Sequence, residues 1–351
     1  MTRITALARR LTTPLLPDDY LTLFNPLLTL DSYRARIVRV EEEAAGVRTL
    51  HLRTARDFPA HQAGQHVRVG VDLNAVRNWR SFSLTAPETG DATRELTITV
   101  KATGSGGVSD HLVHRSIPGD IVHLEPPAGD FTLASAVHNR AVLIAGGSGV
   151  TPLLSIVRTL AARDDQPKVT FVLCARTTQD MIRRRELTEL ADAAEWFELI
   201  LWPTAALGHF DGEALEREIP DWRSADAFVC GPARLLTTAD EMWRGAGALE
   251  NLHVEQFNTR LGNVDGDGGT VQFAKSGRSD VASATTPLLE VGENAGVLMP
   301  SGCRIGICHT CVVPLTSGKV RDLRTGEVHG EPGDIIQTCI NAAACDVEID
   351  V

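Results

Sequence analysis

The sequence lacks a long apolar run and an excess of positive charge, and we expect no secretory leader. No stretch approaches the ~18 apolar residues of a membrane-spanning helix. No apolar segment of signal-peptide length follows the basic residues of Met1–Arg10. The formal net charge is −11, whereas a protein that binds a nucleic-acid backbone needs a basic face. We therefore expect a cytoplasmic protein without a membrane span and without a nucleic-acid partner.

The cysteine content also argues against a secreted disulfide framework. There are seven cysteines, an odd number, and four of them fall into one metal-ligand pattern. Cys303, Cys308 and Cys311 are spaced C-x4-C-x2-C, and Cys339 follows later in the chain. A reducing compartment suits such unpaired thiols.

This spacing is that of the plant-type [2Fe–2S] cluster, in which a tight loop holds three thiolates and a distant residue supplies the fourth. Gly306 lets the loop curl so that amide groups can point at the sulfurs. Four thiolates also suit zinc, but structural zinc sites more often have paired C-x2-C knuckles. We predict a cluster bound by Cys303, Cys308, Cys311 and Cys339, with Cys345 packed in the core.

The length of 351 residues predicts two or three domains. Short alternating strands from Ser32 to about Thr132 suggest an antiparallel barrel. After Arg140, apolar strands alternate with helical segments, one of them at about Gln179–Ala193, which predicts a parallel α/β sheet. The predicted segments are an arm (1–31), the barrel (32–133), the α/β domain (134–257), a Gly- and Asp-rich linker (258–269) and the cluster domain (270–351).

Two segments of the barrel suit a phosphate-bearing ring cofactor. In Arg80–Ser83 a cation and an aromatic ring share one strand face, and two serines share the other. Lys101 precedes a glycine pair and Ser109, where backbone amides can approach a phosphate and a helix can begin. The residues predicted here are Arg80, Ser81, Phe82, Ser83, Lys101, Gly106, Gly107, Val108 and Ser109.

In the α/β domain, an apolar strand runs into Gly147–Pro152 and a helix follows, which is a nucleotide-phosphate architecture. Cys230 at another strand end is either a packed small residue or faces a nicotinamide. No carboxylate stands where a ribose 2′-hydroxyl would be held. Arg176, helped by Arg183 or Arg184, suits a 2′-phosphate instead, which favours NADPH over NADH.

Together these motifs resemble the ferredoxin–NADP reductase-type flavoproteins that carry a C-terminal plant-type ferredoxin domain. Arg80–Ser83 is similar to the R-x-Y-S flavin motif, with Phe82 in place of Tyr. Gly106–Ser109 resembles the second flavin motif, Gly147–Pro152 the G-x-G-x-x-P motif, and Cys230–Pro232 the C-G-P motif. Glu255–Phe257 resembles the segment that reaches the flavin.

The resemblance implies three folds: a β-barrel flavin domain, a parallel-sheet NAD(P) domain and a β-grasp ferredoxin domain. It implies FAD as cofactor, with Ser83 near flavin N5 and Cys230 at the nicotinamide as the catalytic pair. Nucleotide and flavin contacts would come from Gly147, Gly149, Thr151, Pro152, Arg176, Arg184, Gly231, Pro232, Glu255 and Phe257.

The resemblance further implies an electron relay from NADPH through FAD and the cluster to a partner protein. The N-terminal segment Leu11–Tyr20 is similar to that of actinobacterial reductases of membrane di-iron acyl-CoA desaturases, so a desaturase is the first partner expected. The reductase of a Rieske-type oxygenase is the alternative, and a non-enzymatic redox sensor is a third. The arm either packs on the barrel or leans on a membrane or a membrane-bound partner.

Overall fold

The computed structural model describes residues 17–30, 32–55, 58–73, 76–88, 95–104, 107–133, 140–257, 266–301, 306 and 309–351. The chain divides into two compact units, Met1–Glu255 and Gln256–Val351. The first unit contains an antiparallel sheet and a parallel sheet, and the second contains a five-stranded mixed sheet and a three-stranded sheet.

The antiparallel sheet has six strands in the order β4-β3-β6-β1-β2-β5. They are β1 (Tyr33–Ala44), β2 (Val47–Thr54), β3 (His66–Leu73), β4 (Val76–Ser83), β5 (Glu95–Lys101) and β6 (Ile121–Leu124). The two outer strands approach each other where Leu84 bridges to Ile98, so the sheet curls into a barrel. Helix α1 (Pro17–Phe24) precedes it, and α2 (Val108–His114) packs against it.

Alternating side chains build the core of this barrel. Val67, Val69 and Val71 of β3 are buried, as are Leu50 and Leu52 of β2. Successive strand residues face opposite sides, so one apolar set fills the interior while the polar set faces outward. The alternating apolar residues of the sequence are therefore the residues that fill the interior, and the predicted barrel is confirmed.

The parallel sheet has the order β11-β10-β7-β8-β9. Its strands are β7 (Arg140–Gly146), β8 (Lys168–Ala175), β9 (Phe197–Pro203), β10 (Asp226–Cys230) and β11 (Leu252–Glu255). Its helices are α3 (Val150–Ala161), α4 (Arg184–Ala193), α5 (Thr204–Leu207), α6 (Gly212–Glu218) and α7 (Ala233–Gly245). Short 3-10 turns lie at Gly147–Gly149, Thr178–Asp180, Trp222–Ser224 and Leu249–Asn251. The continuous apolar run Ala141–Ala145 is wholly buried, as expected for a central parallel strand.

Helix α3 joins the barrel to the parallel sheet within the first unit. Ser155 Oγ donates to the carbonyl of Ala86 at 2.6 Å. Arg158 donates to the carbonyl of Thr85 and makes a two-pronged ion pair with Glu186 of α4. Side chains of α3 thus donate hydrogen bonds to the backbone carbonyls that follow β4. These bonds fix how the barrel and the parallel sheet pack against each other.

The second unit has a five-stranded sheet, β13-β12-β19-β14-β17, and a three-stranded one, β16-β15-β18. The strands are β12 (Gly269–Phe273), β13 (Arg278–Ala282), β14 (Val312–Ser317), β15 (Val320–Asp322), β16 (Val328–His329), β17 (Ile335–Gln337), β18 (Asn341–Ala343) and β19 (Val347–Ile349). Helix α8 (Leu288–Asn294) buries Leu288, Leu289 and Val291 in the core. One helix over a mixed sheet is the α+β arrangement predicted for this domain.

Three details differ from the sequence predictions. The helix expected from residue 179 begins at Arg184, because Thr177 and Asp180 form a capping box around a separate 3-10 turn. Helix α2 begins at Val108, with Gly107 rather than Ser109 as its N-cap. Cys345 is exposed, so the prediction that it packs in the core is wrong; its Sγ instead accepts from the backbone N–H of Lys319 at 3.3 Å. Among the described residues, no helix is long and apolar enough to cross a bilayer.

Candidate functional site

Strand β4 presents the predicted flavin residues on its two faces. Ser81 lies opposite Arg68 and Ser83 opposite His66 in the β3–β4 ladder. The hydroxyl oxygens of Ser81 and Ser83 are buried and have no hydrogen-bond partner among the described residues. Buried polar atoms are nearly always paired, so the two hydroxyls are consistent with a polar ligand such as the flavin ring along this strand. Phe82, on the other face with Arg80, packs against the barrel core.

The second predicted flavin segment lies at the start of α2. Val108 and Ser109 are buried, whereas Lys101 at the end of β5 is exposed. Asp110 Oδ1 accepts from the backbone N–H groups of Thr103 and Gly104 at 3.0 and 2.9 Å, which shapes the loop that leads into the helix. Gly106 lies outside the described residues, and the phosphate role of this segment stays a prediction.

Glycines form a close-packed cradle where β7 and β10 end. A Cβ on Gly149 would lie 2.1 Å from the carbonyl oxygen of Cys230, and one on Gly146 would lie 2.5 Å from Cδ of Pro232. A Cβ on Gly231 would lie 2.9 Å from Cα of Gly146, which is also closer than real Cβ contacts. Gly147 differs, because it has φ +56° and open space around its Cα. Bare backbone facing open space at a strand end fits the phosphates of a dinucleotide.

Thr151, Pro152 and Pro232 lie next to this cradle within the first unit. Thr151 and Pro152 are buried in the first turn of α3, and Thr151 Oγ1 donates to the carbonyl of Ser148 at 3.0 Å. Pro232 is the N-cap of α7. Phe257 is partly buried and belongs to the second unit.

Three arginines are candidates for binding a 2′-phosphate, and their surroundings differ in the structure. Arg176 follows β8 directly and its side chain is 84% exposed, with Nε 4.0 Å from Asp180 Oδ2. Arg184 is also exposed. Arg183 is committed elsewhere, because it pairs with Glu41 and Glu43 of the barrel at 3.2 and 2.8 Å. Arg183 therefore holds the two halves of the unit together, and Arg176 and Arg184 remain as candidates.

Cys230 ends β10 on the side of the sheet where the barrel packs. It lies beside Glu255 of β11 in the parallel ladder. Burial, and then the neighbouring Glu255 carboxylate, raise the pKa of Cys230 well above that of a free thiol. Burial also raises the pKa of Glu255 to about 8. Its Oε2 has no partner among the described residues, and its Oε1 lies 3.9 Å from Nδ1 of His66. The motifs did not single out His66, which the barrel fold brings to this place.

Two of the predicted cluster ligands converge in the second unit. The Sγ atoms of Cys311 and Cys339 are 3.2 Å apart, both side chains are buried, and neither forms a disulfide. The hydrogen bond between them lowers the pKa of Cys311 to about 6. Two adjacent unbridged thiols suit a shared metal centre. Cys303 and Cys308 lie outside the described residues, so the full ligand set stays a prediction.

The surroundings of these thiols also suit a tight cluster loop. Gly306 has φ +80°, and a Cβ there would lie 2.9 Å from Ile340. Gln337 Nε2 donates to the carbonyl of Gly306 at 3.1 Å, which ties the loop to β17. The guanidinium of Arg324 also faces this glycine, with Nη1 3.2 Å from the same Cβ position.

Three protein-family models match successive parts of the chain. An oxidoreductase FAD-binding domain matches residues 34–133, an oxidoreductase NAD-binding domain matches 143–241, and a 2Fe-2S iron-sulfur cluster binding domain matches 273–347. An NADPH oxidoreductase of Mycobacterium tuberculosis is 42% identical over 347 residues, which cover 98% of this chain and 91% of the relative.

Among solved structures, phthalate dioxygenase reductase has a TM-score of 0.66 at 26% identity, with 92% of this chain and 98% of that chain covered. The chain belongs to the family of oxidoreductases with an FAD-binding, an NAD-binding and a 2Fe-2S domain, which the 42% identity to the M. tuberculosis protein shows. The glycine betaine monooxygenase reductase subunit of Chromohalobacter salexigens is a further similar protein, 25% identical over 93% of this chain and 98% of the relative.

Membership in the family confirms several sequence predictions. The protein is an NAD(P)H-dependent oxidoreductase that uses FAD, a [2Fe–2S] cluster and a nicotinamide nucleotide. It is thus an enzyme rather than a non-enzymatic sensor. The three folds predicted from the sequence are also confirmed.

Proposed function

We propose that this reductase takes electrons from NADPH and delivers them singly to the oxygen-activating component of an oxygenase. Bound FAD would accept the two electrons of a hydride and the bound cluster would carry one electron at a time. The similar proteins support this acceptor class, since one is named for a dioxygenase and another for a monooxygenase.

The observation that carries the proposal is the set of buried, unpartnered hydroxyls of Ser81 and Ser83 in the same unit as the glycine cradle. In this arrangement Ser83 would orient the flavin ring. The cradle at Gly147 and Gly149 would hold the nucleotide phosphates. Cys230, which is fully buried, would supply a neutral surface beside the nicotinamide. No side chain need act as a nucleophile, because positioning of the two rings supplies the catalysis.

The test is an anaerobic titration of the purified, cofactor-loaded protein with NADPH, followed by transfer to candidate acceptors. We expect NADPH to bleach the flavin and cluster absorption, and a purified oxygenase component to reoxidise both. The variant Cys308→Ser should keep flavin reduction and lose transfer to the oxygenase. Normal transfer in that variant would exclude the cluster as the exit route.

The preference for NADPH rests on Arg176, with Arg184 as a second cation. Arg176 is exposed at the carboxyl end of β8, and the relative from M. tuberculosis is named for NADPH. We expect Arg176→Ser to raise KM for NADPH by roughly tenfold, the value of one charge-assisted hydrogen bond, and to leave KM for NADH unchanged. Arg185→Ser is the matched control, because Arg185 is a 92% exposed arginine of the nearby helix α4. Equal effects on both nucleotides would contradict this assignment.

A membrane desaturase is a second candidate acceptor, and helix α1 is the observation that favours it. Leu23 and Phe24 at its end are 80% and 88% exposed, although such side chains usually avoid water. We expect the native protein, and not the double variant Leu23→Ser, Phe24→Ser, to sediment with phospholipid vesicles. Transfer to a vesicle-bound desaturase but not to a soluble oxygenase would favour this candidate over the first.

A further inference from the structure

His66 and Glu255 meet where the barrel packs against the parallel sheet in the first unit. His66 begins β3, and Glu255 ends β11, at the far end of the unit's sequence. Nδ1 of His66 is 3.9 Å from Oε1 of Glu255, and the side chains are 25% and 15% exposed. Each half of the unit therefore contributes one titratable group to the same mostly water-excluded place.

This pair lies between the two residues predicted to be catalytic. His66 and Ser83 are directly opposite in the β3–β4 ladder, while the N–H and carbonyl of His66 bond to Ala128 instead. In such a non-hydrogen-bonded pair the two Cβ atoms are ~4.5–5.5 Å apart on one face. Glu255 lies beside Cys230 in the β10–β11 ladder. The pair thus links the flavin-side serine to the nicotinamide-side cysteine.

The environment keeps this group of side chains neutral. Burial, and then the charge of Arg68, lower the pKa of His66. Burial raises the pKa of Glu255 to about 8, and burial keeps Cys230 a thiol. Arg68 is itself balanced by Glu125, which accepts from Nη1 at 2.7 and 2.8 Å. At neutral pH the carboxyl and the thiol hold their protons, and the imidazole of His66 is the group able to accept one.

We propose that His66 is a positioning residue that takes up one proton from solution when the flavin is reduced, with Glu255 as its neighbouring hydrogen-bonding group. A hydride from NADPH adds one hydrogen and two electrons to the flavin, releases NADP⁺ and leaves one additional negative charge at the ring. A new negative charge favours the protonated form of a nearby imidazole. When two electrons have left through the cluster to the acceptor, the hydrogen delivered by the hydride leaves as a proton, and His66 returns its own proton to water.

This inference rests on the proposed binding of the flavin along β4, and it is tested by redox titration of the cofactor-loaded protein. The flavin midpoint potential is measured at several pH values on both sides of neutrality, and its slope gives the number of protons taken up with two electrons. We expect His66→Gln to take up one proton fewer than the native protein over part of this range. His123→Gln is the control, because His123 is a buried histidine of β6 beside Asp72, and its slope should match the native one.

An unchanged slope in His66→Gln would overturn the inference, provided that the variant binds flavin and melts as the native protein does. If His66→Gln does not bind flavin, the second measurement is nitrogen-15 NMR of the native protein with labelled histidine. The His66 ring should be neutral in the oxidised protein and charged in the reduced one, and a ring that stays neutral would also overturn the inference. Failure of NADPH to reduce the bound flavin would instead contradict the proposed function itself.

Discussion

The two units prepare their sites in opposite ways. In the first unit the site consists of polar groups from distant parts of the sequence, such as Ser83, Cys230 and Glu255, that are buried together and left without some of their partners. In the second unit two thiols that suit one metal centre meet beside a loop whose spacing is visible in the sequence. The first site therefore depends on how well two halves pack, whereas the second is predicted to depend on the identity of four cysteine ligands. Substitutions that alter packing should impair the first site, and substitutions that remove a ligand atom should impair the second.

The largest effect should come from removing one thiolate. We expect Cys339→Ser to lose the cluster, and with it electron transfer to the acceptor protein, while NADPH still reduces the flavin. Iron and sulfide analysis and the visible spectrum measure the loss. Cys345→Ser is the control, because that cysteine is exposed and lies outside the predicted ligand set. A full cluster in Cys339→Ser would show that the fourth ligand lies elsewhere.

The next effect should come from a single methyl group in the glycine cradle. Gly149→Ala would place Cβ 2.1 Å from the carbonyl oxygen of Cys230, so we expect the free energy of unfolding to fall by about 3 kcal/mol and NADPH-driven flavin reduction to be lost. Gly147→Ala is the matched control, since its Cβ meets open space and only the positive φ costs ~1–2 kcal/mol. Denaturant unfolding and stopped-flow reduction measure both. Equal losses in the two variants would argue against the crowding explanation.

A smaller effect should appear in the pH dependence of stability. The pKa of Glu255 is raised in the folded chain. The contribution of Glu255 to the free energy of unfolding is therefore complete below the pKa of an unfolded glutamate, and it is lost as the pH rises through about 8. We expect Glu255→Gln to reduce this loss of stability, by on the order of a few kcal/mol. Thermal melts at acidic and alkaline pH measure it. Glu250→Gln, at an exposed position, should melt with the native pH dependence.

The smallest effect should be electrostatic tuning of the cluster. Arg324 reaches the cluster loop beside Gly306 while Asp322 holds its guanidinium. Removing a positive charge disfavours an added electron, so we expect Arg324→Gln to lower the cluster potential by on the order of tens of millivolts. Redox titration followed by EPR measures the shift. Lys275→Gln, in the same unit and paired with Asp350, should leave the potential unchanged, and a higher potential in Arg324→Gln would contradict the electrostatic account.

Local patterns were sufficient for the elements and for much of the site. The alternation at Val67–Val71 and the apolar run at Ala141–Ala145 predicted an antiparallel and a parallel strand, and both form. Gly149 was placed in the nucleotide motif by the sequence, and the structure adds that a Cβ there would lie 2.1 Å from the carbonyl oxygen of Cys230. These features depend on residues near in sequence or on the fixed periods of strands and helices.

Partners chosen across the fold were not predictable in this way. Arg183 was a candidate for the nucleotide phosphate, yet it pairs with Glu41 and Glu43 of the barrel. Cys345 was expected in the core and is exposed. A one-dimensional pattern shows that a residue is charged or apolar, but not which distant group will lie opposite it.

By itself the sequence determined the order of the domains, their strands and the cysteine spacing, because periodicity and ligand spacing are local properties. Only the tertiary structure decided that His66 and Glu255 share a place, although 188 residues separate them along the chain. The physical reason is that burial shifts the pKa values of both groups, and burial depends on how the fold packs around them.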